Sequence, residues 1–354
     1  MRKSCLPFAI ALALAASGCG RQPILEGPST EPGTDVQHDG TAAVFVHLFE
    51  WRWVDIATEC ENVLGPAGYQ AVQVSPPNEH VVGPQWWTRY QPVSYRIESR
   101  GGTRAEFADM VERCKAAGVD VYADAVTNHM AGIFTGTGFA GSAYAENEYP
   151  VPYRQDDFHR CGRYEDDRIR NYQDLWEVQN CKLGTLQDLD TGKPAVQQKI
   201  AAYLKDLLSL GVAGFRLDAA KHMPVEDITA VLSLMDKDTF IYQEVIDRGG
   251  EPINGADYLV NGSVTDFRYQ LRVSEAFQQQ GLGLLEGIGI DSDFLPADKA
   301  IVFVDNHDLQ RGHAGDEGTL SHKQGALYEL ANVFMLAWPY GYPMVMSSYV
   351  FEDS

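Results

Sequence analysis

Short apolar runs alternate with amphipathic stretches along most of this chain. Val44-Phe45-Val46-His47-Leu48-Phe49, Ala71-Val72-Gln73-Val74-Ser75 and Asp120-Val121-Tyr122-Ala123-Asp124-Ala125-Val126 are brief and rich in β-branched or aromatic residues, the signature of buried strands. Between the second and third, Phe107, Met110, Val111 and Cys114 recur at helical spacing within Arg104 to Ala117. Further strand-like runs follow at Gly214 to Asp218, Phe240 to Val245, Val264 to Phe267, Ala300 to Val304 and Met344 to Ser347. Eight strands alternating with helices predict an α/β fold, a (β/α)8 TIM barrel.

The alternation stops between His129 and Leu186, a stretch rich in Gly, Tyr, Asn and Asp. A structureless loop of that length is improbable inside a compact domain. It reads as a small subdomain, residues 130–186, inserted after the third strand, with the barrel formed by 41–129 and 187–354. Cys161 and Cys181 both fall in it and suggest a disulfide staple. The chain stops at Ser354, with no residues for an eighth helix after the last strand. The sequence is therefore expected to be incomplete at that end.

Composition narrows the picture. The 354 residues are 45% hydrophobic and 11% aromatic, enough to bury a large core and too apolar for disorder. A formal charge of -21, from 49 acidic and 28 basic residues, excludes nucleic acid as a partner, because phosphates require a basic face. Residues 1–18 read as an export signal: Arg2 and Lys3 precede the apolar stretch Leu6 to Ala16, which ends in small residues before Cys19. This pattern resembles a lipoprotein signal, with Cys19 as the attachment point of a lipid anchor and the mature protein extracellular or on the cell surface. Residues 19–40, rich in Gly, Pro, Ser, Thr and charge, read as a flexible tether. Of six cysteines, Cys5 and Cys19 belong to the signal and its boundary. The other four suit disulfides in an oxidising compartment, with three pairings open and no CxxC spacing for zinc.

The candidate chemistry lies at strand ends. The fourth run ends in Asp218, the fifth in Glu244, and the seventh runs on into Asp305-Asn306-His307-Asp308. In a parallel barrel the C-terminal strand ends share one mouth, so these carboxyl groups are expected to converge there. A carboxylate cluster is costly for folding and suited to splitting a glycosidic bond.

Longer strings carry a family resemblance. His47-Leu48-Phe49-Glu50-Trp51, Gln73-Val74-Ser75-Pro76-Pro77-Asn78, Trp86-Trp87-Thr88-Arg89-Tyr90-Gln91-Pro92, Asp124-Ala125-Val126-Thr127-Asn128-His129, Gly214-Phe215-Arg216-Leu217-Asp218-Ala219-Ala220-Lys221-His222 and Phe303-Val304-Asp305-Asn306-His307-Asp308 resemble alpha-amylases of the animal type. The resemblance runs from Val44 to Tyr349. It implies endo-hydrolysis of α-1,4 bonds in starch or glycogen by a monomer. Asp218 would be the nucleophile, Glu244 the general acid and base, and Asp308 the third carboxylate. Arg216 would keep Asp218 ionised. His129, His307, His313, Lys221, His222, Tyr172, Trp86, Trp87, Tyr90, Gln91 and Arg216 would meet the sugar. The resemblance further implies Ca2+ held by the side chains of Asn128 and Asp188 and the backbone carbonyls of Gln179 and His222, all oxygen donors. It supports the pairings Cys60–Cys114 and Cys161–Cys181. Of the family's chloride ligands Arg216 and Asn306 are present, but Met344 stands where a second arginine is expected, so chloride is expected to matter little. The family usually continues into an antiparallel β domain, which is expected to be absent from this sequence. The same apparatus would serve a transglycosylase or a maltooligosaccharide-forming enzyme, and a non-catalytic glycan-binding protein is the remaining alternative.

Overall fold

A computed structural model describes residues 43–149, 153–235, 239–313 and 319–348; the expected signal and tether lie outside them. Eight parallel strands close into a barrel: β1 Phe45–Leu48, β2 Ala71–Val74, β3 Asp120–Val126, β4 Gly214–Asp218, β5 Phe240–Gln243, β6 Ser263–Thr265, β7 Ala300–Val302 and β8 Tyr342–Met346. β8 returns to β1 with Phe45 opposite Met344.

Six of the eight strands start or end one or two residues away from the sequence reading, and two of these shifts have a clear local cause. β8 starts at Tyr342, because Tyr342 and Pro343 pair with Ile301 and Val302 although Pro343 has no N–H to donate. β6 ends at Thr265, because the Asp266 side chain accepts from the Tyr269 N–H at 2.9 Å and starts the helix Phe267–Glu275.

Local chemistry explains the helix between β2 and β3. Thr103 and Glu106 form a capping box at its start, and Gly118, at φ 78°, turns the chain out of it. Its Phe107, Met110, Val111 and Cys114 are all buried, as their spacing predicts. Cys114 is bonded to Cys60 from the preceding helical segment, and Cys161 to Cys181. Both bridges suit an oxidising compartment.

Side-chain alternation builds the barrel interior in layers. Phe45, Tyr122, Tyr242, Ile301, Phe303 and Met344 pack in one apolar interior cluster. Two residues further along the same faces stand His47 on β1 and Asp124 on β3, while Arg216 and Asp218 follow each other on β4. The interior thus turns polar toward the strand ends.

Between β3 and β4 the chain makes the inserted subdomain before the barrel helix Pro194–Ser209. Its neck is a two-stranded antiparallel pair, His129–Met130 with Gln187–Asp188. Its core gathers Tyr149, Tyr153, Phe158 and Val178.

Candidate active site

β4 and β5 deliver Asp218 and Glu244, and the loop after β7 delivers Asp308, to one cavity of 720 Å³ at the C-terminal mouth. Arg216 organises them from below. Its Nη1 donates to Asp218 Oδ1 at 2.8 Å and to both oxygens of Asp124 at 2.7 and 2.9 Å, while Nη2 lies 2.6 Å from Glu244 Oε1. The second Glu244 oxygen accepts the Ala219 N–H at 2.9 Å. Ala219 sits at φ 51°, a left-handed conformation costing about 1 kcal/mol or more for a residue with a Cβ. That strained turn aims its N–H into the site.

Asp124 is the charged partner of Arg216 that sequence reasoning missed. It is fully buried, and besides Arg216 it accepts from the Tyr90 hydroxyl at 2.8 Å. Its strand also carries Asp120, so the acid alone does not stand out, and the cation that a buried charge needs lies on another strand. Burial pushes Asp124 up from the usual carboxylate range, and Arg216 opposes that push. Burial likewise raises Asp218 well above its ordinary value, again with Arg216 opposing and Glu244 and Asp124 adding. Asp308 is pushed up to about 7 by burial and by Glu244. Burial thus pushes Asp124, Asp218 and Asp308 upward around a guanidinium that opposes it.

The walls carry most of the residues expected from sequence. Trp86, Trp87, Tyr90, Gln91, His129, Tyr172, Lys221, His222, His307 and His313 all line the cavity. Arg216 lies beneath it instead, buried and committed to carboxylates. Tyr90 stacks on His307 with ring centroids 5.1 Å apart, and Trp86 meets His307 and His313 edge-on. Burial lowers His307 well below its ordinary value and His129 and His222 to about 4, so all three imidazoles are neutral at neutral pH. Gln91 also tethers the insertion, its Oε1 accepting the N–H groups of Gly132 and Ile133. Lys221 donates to Ile246 O at 3.0 Å and pairs with Glu251. Leu183, Thr185, Leu186, Ile246, Arg248 and Glu251 complete walls that sequence reasoning had not assigned.

The segment Trp86–Tyr90 is held by an ionic knot around buried Arg89. Arg89 donates to Pro76 O at 2.6 Å and lies 3.3 Å from Glu50, which also binds Arg100. Glu50 itself is left-handed, at φ 65°.

The expected calcium ligands meet at the neck of the insertion. Asp188 and Asn128 are both buried, with Asn128 Nδ2 3.4 Å from Asp188 Oδ1, and His159 Nδ1 lies 2.7 Å from Asp188 Oδ2. Burial raises Asp188 to about 6, against the pull of His159. Asp188 and Asn128 both carry side-chain oxygens of the kind a hard cation takes, although Asn128 here turns its Nδ2 toward Asp188. The Gln179 side chain turns elsewhere, to Tyr258 and the Met223 carbonyl, which leaves a backbone role as the one to consider. The residues do not fit chloride: Arg216 is surrounded by carboxylates, Asn306 Oδ1 caps the Leu309 N–H, and Met344 brings no charge.

Comparison with known proteins agrees with this geometry. Residues 75–249 match the family model described as alpha amylase, catalytic domain. An alpha-amylase of Aeromonas hydrophila is 50% identical over 315 residues, covering 88% of this chain and 69% of that protein. One from Thermomonospora curvata is 47% identical, covering 97% of this chain, and human alpha-amylase 1B is 47% identical, covering 86% of this chain and 64% of its own length. The crystal structure of wild-type alpha-amylase I from Eisenia fetida superposes with a TM-score of 0.84 at 39% identity, over 88% of this chain and 68% of that one. The chain spans a little over half of the first two curated relatives, 57% of the T. curvata protein and 54% of one from Streptomyces violaceus.

Proposed function

This chain belongs to the alpha-amylase family, and from that premise we propose that it hydrolyses internal α-1,4-glucosidic bonds of starch, glycogen and their oligosaccharides with retention of configuration. One observation carries the reading: a single guanidinium contacts both Asp218 and Glu244. Sharing that one side chain brings the two carboxyl groups to the same point of the cavity wall, which supports a close pair. Retaining hydrolysis uses a pair about 5 Å apart, and inverting hydrolysis a wider one.

Asp218 attacks the anomeric carbon as a carboxylate, its charge held by Arg216. The glycosidic bond breaks as Glu244 passes its proton to the leaving oxygen. A glycosyl ester on Asp218 results. Glu244, now anionic, takes a proton from water, which attacks the same carbon and frees Asp218. Asp308 stabilises the positive charge that develops on the ring. His307, being neutral, donates a hydrogen bond to a hydroxyl; His129, whose Nε2 donates to the Tyr90 carbonyl at 2.9 Å, lines the wall beside it, while Trp86, Trp87 and Tyr90 offer ring surface to sugar faces.

A calcium ion would be held by Asn128, Asp188 and the carbonyls of Gln179 and His222, and would fix the insertion to the barrel. Export, a lipid anchor at Cys19 and a monomeric state complete the proposal. The four bonded cysteines support export, whereas Cys19 lies outside the described residues.

The roles are tested by two variants. Asp218→Asn should lose at least about 10³-fold in rate while still binding starch. Glu244→Gln should be similarly slow on starch but less impaired on a substrate with an activated aryl leaving group, which needs little protonation. An Asp218→Asn enzyme retaining about a tenth of the wild-type rate would remove Asp218 from the nucleophile's role.

A further inference from the structure

The insertion carries an aromatic surface that the proposed chemistry leaves unused. Leu175 and Trp176 open the short helix Leu175–Asn180 and are 46% and 44% exposed. Tryptophan is normally far better covered. This one is deliberately braced: the Arg163 guanidinium lies 4.5 Å from its ring centroid. Arg163 is itself fixed by Asp174 and by buried Glu177, whose carboxylate also accepts the Arg170 and Asn171 N–H groups. The ring is held rigid with much of its surface open.

The same segment borders the cleft. Tyr172 lines the cavity and lies 5.4 Å from Lys221 Nζ. Gln173 donates to the Gly250 carbonyl at 2.9 Å, fastening the segment to the loop whose Arg248 and Glu251 line the same cavity. An exposed, braced ring on the segment that borders the cleft matches the apolar face of a neutral sugar.

We infer that Leu175 and Trp176 form a secondary platform that continues the cleft wall past Tyr172 and binds the part of an α-1,4-glucan lying outside the cavity. The inference rests on the hydrolase reading for the identity of the ligand. It predicts selectivity for long chains over short ones. Wild type, Trp176→Ala and Trp176→Phe can be compared by electrophoresis in gels containing amylose, and by kcat/KM on amylose relative to maltotetraose. Trp176→Ala should be retarded less, and its amylose-to-maltotetraose ratio should fall about threefold to tenfold, while Trp176→Phe keeps most of both. Arg163 retains its carboxylate partners in either variant, so the local fold is expected to persist. Wild-type retardation and ratio in Trp176→Ala would overturn the platform, as would an equal loss on both substrates. A wild-type protein that cleaves neither substrate would instead defeat the hydrolase reading, with gel retardation still deciding the platform.

Discussion

Arg216 and its acids show how burial sets chemistry at the scale of single residues. Asp124 and Asp218 are both raised by desolvation, and one guanidinium opposes that rise in each. Asp305 offers the same physics away from the proposed reaction. It is buried and accepts from Gln310 at 2.7 Å and Tyr328 at 2.9 Å, and burial pushes it up to about 7 from 3.8. The folded value exceeds the unfolded one, so the folded state holds the extra proton between them. Its contribution to stability is full below about pH 4 and is lost as pH rises through 7. Melting temperature measured across that window should fall less steeply in Asp305→Asn than in wild type, and an unchanged slope would contradict the assignment. Asp218, Glu244 and Asp308 were legible in the sequence because each closes or follows an apolar run. Asp124 was not, since its partner Arg216 lies directly opposite across β3 and β4, and that register exists only once the strands pair.

At the scale of elements, the insertion is tied down at its neck. The neck strands place Asp188 opposite His129, bringing the expected calcium ligands to the junction between insertion and barrel. The Cys161–Cys181 bridge, closing 20 residues, constrains the unfolded chain by about 3 kcal/mol. The Cys60–Cys114 bridge, closing 54, contributes about 4 kcal/mol in the same way. A metal bound only by the folded state adds stability with the logarithm of its concentration, about 2.7 kcal/mol at a hundredfold excess over Kd. A chelator should therefore lower the melting temperature, and added calcium should restore it. An unmoved melting temperature, with no metal found in the purified protein, would contradict the site. Periodicity located the strands and helices well because burial on a barrel enforces it. It was silent inside the insertion, where short pieces are held by Glu177, Gln91 and a disulfide rather than by a repeating apolar face.

At the scale of the whole molecule, a closed barrel converts three distant stretches of sequence into one pocket, with Arg216 at its floor and the insertion as one wall. The carboxylates crowd the guanidinium that an anion would need, and Met344 adds no second cation. Rates in chloride and in an inert salt of equal ionic strength are therefore expected to match, and a several-fold activation by chloride would contradict that. The central claim is a double displacement on α-glucan, in which the pocket returns the sugar with its original configuration. Proton NMR of the reducing ends in the first minutes of amylose hydrolysis reads this directly. The α-anomer should appear first and the β-anomer only as mutarotation proceeds; β-anomer appearing first, or no new reducing ends at all, would contradict the account.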